Sequence, residues 1–229
     1  MKIISPWKIL NYVFKLYIRK DPVIISHRKW IKDKGEQLRL DYKLSKDSVV
    51  FDIGGYKGNW TSDIYNKYNC KVFVFEPIKK FSEEIRNRFR TNNKILVHDY
   101  GISDSNEEAK ISLFDNGSSV IHDWNTSFET INLVDIVDFI RKNNITKVDL
   151  MKINVEGGEY KILNRLINSD YIKICKNLQI QFHSFVDNAN TMRDEIQSKL
   201  SNTHHLTYEY PWIWENWELN EEKGNNIHK

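Results

Sequence analysis

The chain has 229 residues, 40% of them hydrophobic, and a formal net charge of +3. That length suits one α/β domain with an extension, burying roughly 70% of its unfolded surface, and the apolar content excludes a disordered chain. So small a net charge gives no reason to expect a nucleic-acid partner. Its distribution says more: residues 1–40 carry ten Lys and Arg against three Asp and Glu, which leaves the remainder slightly acidic. Cys70 and Cys175 adjoin apolar runs without metal-ligand spacing, as expected of free thiols in a reducing compartment. Lys8 and Lys15 interrupt the apolar residues near the start, and no run approaches the ~20 residues of a membrane span. The expected location is the cytoplasm, at most against the inner face of the membrane.

In chain order, residues 7–20 read as a helix with Lys8, Asn11, Lys15 and Arg19 on one narrow stripe and apolar residues elsewhere. Such a helix needs burial on more than one side: against the core domain, a dimer partner or an anionic membrane surface. Asp21-Pro22 is expected to end it, and residues 26–44 to form a second helical stretch, giving an extension over 1–46. From residue 47 strands and helices alternate to about 219, as a doubly wound parallel sheet requires.

Val49 to Ile53 is a buried strand, followed by a glycine turn and a helix carrying Trp60, Ile64 and Tyr68. Residues 72–75 form the next strand, and Phe81, Ile85 and Phe89 the next helix face. Residues 95–97 form a third strand, 109–114 an edge strand, and the polar stretch 115–127 a loop able to cover a site. Leu133, Ile136, Val137 and Ile140 share helical spacing. Residues 148–153 give a fourth strand; Leu178, Ile180 and Phe182 a fifth, ending at His183. Met192, Ile196 and Leu200 mark a helix, 205–219 a hairpin, and 220–229 a polar tail.

The chemistry concentrates in Asp52-Ile53-Gly54-Gly55-Tyr56-Lys57-Gly58. A strand, a glycine turn and a helix start are the unit with which open α/β sheets hold ligands. A dinucleotide fingerprint would place phosphates here, but an acid two positions before the first glycine suits an ammonium better, as in S-adenosylmethionine. Glu76, closing the second strand, can accept both hydroxyls of a ribose. Together these predict a nucleoside-cofactor site.

FDIGGYKGNW, VFEP (74–77), GISDS (101–105) and KINVEGGEY (152–160) together resemble the FkbM family of S-adenosylmethionine-dependent methyltransferases, over about residues 48–185. The resemblance implies a Rossmann-like class I sheet of seven strands, six parallel and one antiparallel, with helices on both faces. It also implies O-methylation, often of sugars in surface polysaccharides or of natural products. Carried over, Asp52, Gly54 and Gly58, with Gly55 and Tyr56 in the same turn, would line the methionine end. Glu76 would hold the ribose beside Pro77 and Ile78, and Gly101, Ile102 and Ser103 would flank the adenine. Two departures stand out: Asn154 and Gln181 replace the family's usual acids, and a neutral amide can neither act as a base nor give a metal an anionic oxygen.

A hydroxyl acceptor needs somewhere to send its proton, and His183, ending the fifth strand, is the leading base. Glu156 is the second, its alternative being a stabilised helix amino end. Lys152 would orient an acceptor or a carboxylate. Trp212, Trp214 and Trp217 fit either a sugar-stacking surface or a strand's core face. His204 and His205, adjacent on a strand, should point apart, and no metal is expected, although Asp99, Asp104 and Glu156 are acids that could gather one. The reading is an O-methyltransferase acting on a saccharide or other hydroxyl-bearing acceptor, and not on nucleic acid. A non-catalytic S-adenosylmethionine-binding protein or an NAD-dependent oxidoreductase are the alternatives.

Overall fold

The computed structural model describes residues 20–112 and 128–221. The expected helix over 7–20 (all but Lys20), the loop 115–127 and residues 222–229 of the expected tail lie outside them. Asp21-Pro22 begins a helix, and the stretch it was expected to end lies outside the described residues. Asp21 Oδ1 accepts from Val23 N and Ile24 N, and Pro22 takes the first position of α1 (Pro22–Lys32), where its missing N–H costs nothing. Lys34, left-handed at φ 54°, separates α1 from the single turn α2 (Gly35–Leu38), and residues 39–48 are irregular. The expected continuous helix over 26–44 is therefore two helices and a covering strap. Trp30 of α1 packs between Gly35, Tyr210 and Trp214.

The core alternates as its apolar runs predict: β1 (Val49–Ile53), α3 (Asn59–Tyr68), β2 (Lys71–Phe75), α4 (Lys79–Arg88) and β3 (Ile95–His98). Three strands then form a separate small sheet: β4 (Gly101–Ser103), β5 (Glu107–Ser112) and β6 (Phe128–Asp135), in the order β4-β6-β5. Leu133 thus belongs to a strand, not to the helix face its spacing suggested. Asp135 starts α5 (Ile136–Lys142) by accepting Val137 N at 2.7 Å and Asp138 N at 3.1 Å. The expected edge strand at 109–114 starts earlier, at Glu107, and pairs antiparallel with β6 away from the main sheet.

The chain continues through β7 (Leu150–Ile153), α6 (Glu159–Asn168), a 3-10 turn (Tyr171–Ile174), β8 (Asn177–Ile180), α7 (Ala189–Leu200), β9 (His204–Tyr210) and β10 (Trp214–Leu219). The main sheet has seven strands in the order β3-β2-β1-β7-β8-β10-β9, with β10 antiparallel to both neighbours. From β1 the chain winds one way to β3, and from β7 the other way to β8. The carboxyl ends of β1 and β7 therefore flank the switch point where such sheets open a crevice.

Alternation sends Phe51, Ile53, Phe73, Phe75, Met151 and Ile153 to the face covered by α5, α6 and α7. Val50, Val72, Val74 and Leu150 go to the other face, against Trp60 and Ile64 of α3 and Ile85 of α4. That second face also carries a polar row, because register sets Asp52, Lys152, Gln179, Asn216 and Tyr208 side by side. The strap covers its far half: Gln179 Nε2 donates to Arg39 O at 2.7 Å and to Tyr42 Oη at 2.6 Å, and Tyr42 Oη donates to Asn216 Oδ1 at 3.1 Å. Both cysteines are buried free thiols, and no described helix is long and apolar enough to cross a membrane.

Candidate active site

The glycine turn after β1 is shaped by what crowds it. Gly54 N and Gly55 N both donate to Phe75 O, at 3.0 and 3.2 Å. Gly54 sits at φ +85°, and a Cβ there would come within 1.9 Å of Asn154 O, so β1 and β7 can close up only around a glycine.

Asp52 is fully buried on the α3 side of the sheet and does not line the cavity described below. Its Oδ1 accepts from Lys152 Nζ at 2.8 Å and its Oδ2 from Thr61 Oγ1 at 2.6 Å. Lys152 Nζ also donates to Gly54 O at 2.6 Å, so it ties the strand to the turn, and it is absent from the cavity lining. Gly58 caps α3 in the left-handed region and packs on Ile85 and Phe89, again off the cavity. Gly55 backs onto Val74. Asp52, Gly55 and Gly58, expected at the methionine end, are absent from the cavity lining.

Glu76 differs. It is 5% exposed and lines a cavity of about 670 Å³. Its Oε2 accepts from Tyr56 N at 2.7 Å and its Oε1 from Ile78 N at 3.0 Å. Burial pushes its carboxyl up to about 7, against the pull of those two backbone donors and the Lys152 charge. An ionised carboxylate has about four lone-pair directions, so each oxygen keeps one for a further donor.

Gly54, Tyr56, Pro77 and Ile78 share the cavity wall with Glu76, and Gly101, Ile102 and Ser103 of β4 face them. The apolar end is completed by Phe81 and by Ala109, Ile111, Ile131 and Leu133 of the small sheet, which sequence reasoning did not assign to a site. The alternation of Ile131 with Leu133 was the available signal. Asn154, Val155, Glu156, Gly157 and Gly158 form the opposite wall, with Glu107 and Lys161 at the polar end. Asn154 Oδ1 is buried with no hydrogen-bond partner among the described residues.

His183 lies behind that wall, past the end of β8, and is absent from the cavity lining itself. Its Nε2 is 3.6 Å from Glu156 Oε2, and its Nδ1 is 3.1 Å from Glu159 Oε1. Glu159 Oε1 also accepts from His183 N at 2.8 Å, and Tyr160 Oη donates to His183 O at 2.9 Å. Phe185, 40% exposed, lies 5.4 Å from the imidazole. An imidazole held between two carboxylates can take a proton at one nitrogen while the other stays bonded. Sequence reasoning named His183 and Glu156 but passed over Glu159, which stands in the same motif.

Trp214 and Trp217 are buried in the core, so of the three indoles only Trp212 remains partly open, with the Arg193 guanidinium 5.5 Å from its ring. His204 is buried against Cys175 O and His205 bonds Asn220. Asp99 lies beside Arg86 and Asp104 beside Lys161, and among the described residues no three His, Cys, Asp or Glu gather as a metal site would require.

The methyltransferase FkbM domain model matches residues 52–210. The hexuronic acid methyltransferase AglP of Haloferax volcanii is 23% identical over 158 residues, 68% of this chain. The match covers 64% of AglP, just under two thirds of its length. Among solved structures, a Clostridium thermocellum protein described as a candidate rRNA-methylase superposes with a TM-score of 0.50 at 11% identity, over 83% of this chain and 96% of that one. M. capricolum TrmK, in complex with S-adenosylhomocysteine, gives 0.48 at 11% identity, over 80% and 67%. The first of these is a likeness of fold alone, and it lends no support to excluding a nucleic-acid acceptor.

Proposed function

Because this chain belongs to the FkbM methyltransferase family and takes its methyl group from S-adenosylmethionine, we propose that it is an O-methyltransferase acting on a sugar hydroxyl. The observation that carries this reading is one cavity lined by two different acids: Glu76, with open lone pairs, and Glu156, 3.6 Å from His183. The volume fits a nucleoside-sized ligand with room for part of an acceptor.

In this reading Glu76 accepts the ribose hydroxyls, and Pro77, Ile78, Ile102 and Leu133 flank the adenine as a flat apolar slot. Asp52 and Lys152 act at one remove, by holding the Gly54 carbonyl and hence the turn. When bound, the sulfonium supplies a methyl carbon already primed for displacement, so the chain's task is alignment, exclusion of water and removal of a proton. His183 takes that proton by way of Glu156, which lines the cavity 3.6 Å from its Nε2. Phe185 offers an apolar ring face next to the base, suited to the C–H face of a pyranose. A relative named for hexuronic acid supports a saccharide acceptor.

The test is transfer of labelled methyl from S-adenosylmethionine to a panel of uronic acids, neutral oligosaccharides and RNA. Labelling of a saccharide that is lost in His183→Gln is the expected result. Labelling of RNA alone, or none from a preparation that binds S-adenosylhomocysteine, would overturn the sugar assignment.

A further inference from the structure

We propose that Glu159 is the positioning residue of the proton-accepting group, fixing His183 in the tautomer whose Nε2 lone pair faces Glu156 and the cavity wall. The inference rests on the O-methyltransferase reading above and deepens it.

Glu159 opens α6 and is fully buried, an expensive place for a carboxylate unless every lone pair is used. Its bonds join two segments. Oε2 accepts from Gly157 N at 2.8 Å, while Oε1 accepts from His183 N at 2.8 Å and meets His183 Nδ1 at 3.1 Å. One side chain thus fastens the β7–α6 loop to the chain leaving β8. The loop it fastens is bent, with Glu156 left-handed at φ 51° and Gly157 at φ 103°. A strained non-glycine residue persists only where surrounding contacts hold it, and here the bend aims Glu156 at the imidazole.

A carboxylate carries no proton to give, and only the 3.1 Å contact with Glu159 is at hydrogen-bond distance, so the neutral imidazole donates from Nδ1, and Nε2, 3.6 Å from Glu156, keeps the lone pair. A merely structural carboxylate would need only the backbone donors Gly157 N and His183 N. The contact with the ring is what singles out a role in setting the tautomer. The groups facing His183 are Glu156 from the loop, and Glu159 and Tyr160 from α6; Arg193 of α7, near Phe182, is already paired with Glu209 and Glu215.

As the acceptor oxygen bonds the methyl carbon, the carbon–sulfur bond breaks and its electron pair stays on sulfur. The O–H proton passes by way of Glu156, which lines the cavity, to Nε2. The positive charge lost by the sulfonium reappears on the imidazolium, flanked by two carboxylates, and the proton then leaves to solvent.

Nitrogen NMR of the full chain labelled in histidine, with the His183 signal assigned by its loss in His183→Gln, reads the tautomer without any acceptor. The wild type should show protonated Nδ1 and bare Nε2. Glu159→Gln should raise the Nε2–H population and cut kcat about 100-fold, the scale of a lost general base. Its affinity for S-adenosylhomocysteine should stay within about twofold, because Glu159 is absent from the cavity lining. Glu159→Asp should recover part of kcat. Protonated Nε2 in the wild type overturns the proposal even if every variant fails to fold. So does a Glu159→Gln variant that loses melting temperature and activity together with an unchanged tautomer. If no sugar is methylated but the tautomer responds as stated, the acceptor assignment fails and the role of Glu159 stands.

Discussion

Asp52 and Glu76 close neighbouring strands, both buried, yet they behave in opposite ways. Asp52 faces α3, and its oxygens are spent on a lysine ammonium and a threonine hydroxyl. Among the described residues Glu76 bonds only backbone N–H groups, one per oxygen, and its carboxyl is pushed up to about 7 by burial. A carboxylate with all its bonds filled holds a fold together. One held in a cavity with lone pairs to spare is the acid the proposed function assigns to the ribose.

The comparison breaks most visibly at Lys152. Lys152→Met should leave Asp52 buried and unpaired, destabilising the protein by about 3–5 kcal/mol and lowering the melting temperature by roughly 10 °C. Adding Asp52→Asn to it should restore part of the loss. If Lys152→Met melts as the wild type does, the pair is not what braces the turn.

Glu76 should act on stability with the opposite sign to a paired acid. Its folded carboxyl stands near 7 against an ordinary 4.5, so the folded chain binds the proton more tightly than the unfolded one. Stability conferred by that proton is full below about 4.5 and is lost as pH rises through about 7, amounting to about 3 kcal/mol. Glu76→Gln should therefore melt higher than the wild type at pH 8 and nearly level with it at pH 5. A variant that melts lower at pH 8 contradicts this.

For the ligand the order reverses. Glu76→Ala should weaken S-adenosylhomocysteine by about 1–3 kcal/mol in calorimetry, the cost of hydrogen bonds to a charged group. Wild-type affinity should tighten as pH rises through 7, and Glu76→Gln should flatten that dependence. A pH-independent wild type would mean the ribose does not meet this carboxylate. Phe185→Ala should have the smallest effect, about 0.5–1.5 kcal/mol on the saccharide's KM, with donor affinity unchanged.

Much of this fold is readable in the chain. Runs such as VVFDI and VFVF are apolar on both faces because their strands are buried on both, and helices such as Phe81-Ile85-Phe89 keep their stripe. The failures have physical causes. Leu133 sits three residues before Ile136, so a strand running straight into a capped helix mimics one longer helix. Asp21-Pro22 reads as a stop in the sequence, and its capping bonds to Val23 N and Ile24 N, which start α1, show only once the chain is folded. Asp52's bond to Lys152 is invisible in the sequence because that lysine lies 100 positions away, and Glu159 escapes notice because its imidazole lies 24 away.

The sequence by itself determined a doubly wound sheet, the family, the donor it uses and the place of Glu76 at a strand end, since periodicity and short motifs are local properties. The tertiary structure decided which acids are open and which are consumed. It also brought a small sheet, unread in the sequence, to wall the cavity, and set a carboxylate behind His183. Burial and partnership depend on strands meeting across a crossover, and no window of consecutive residues contains that information.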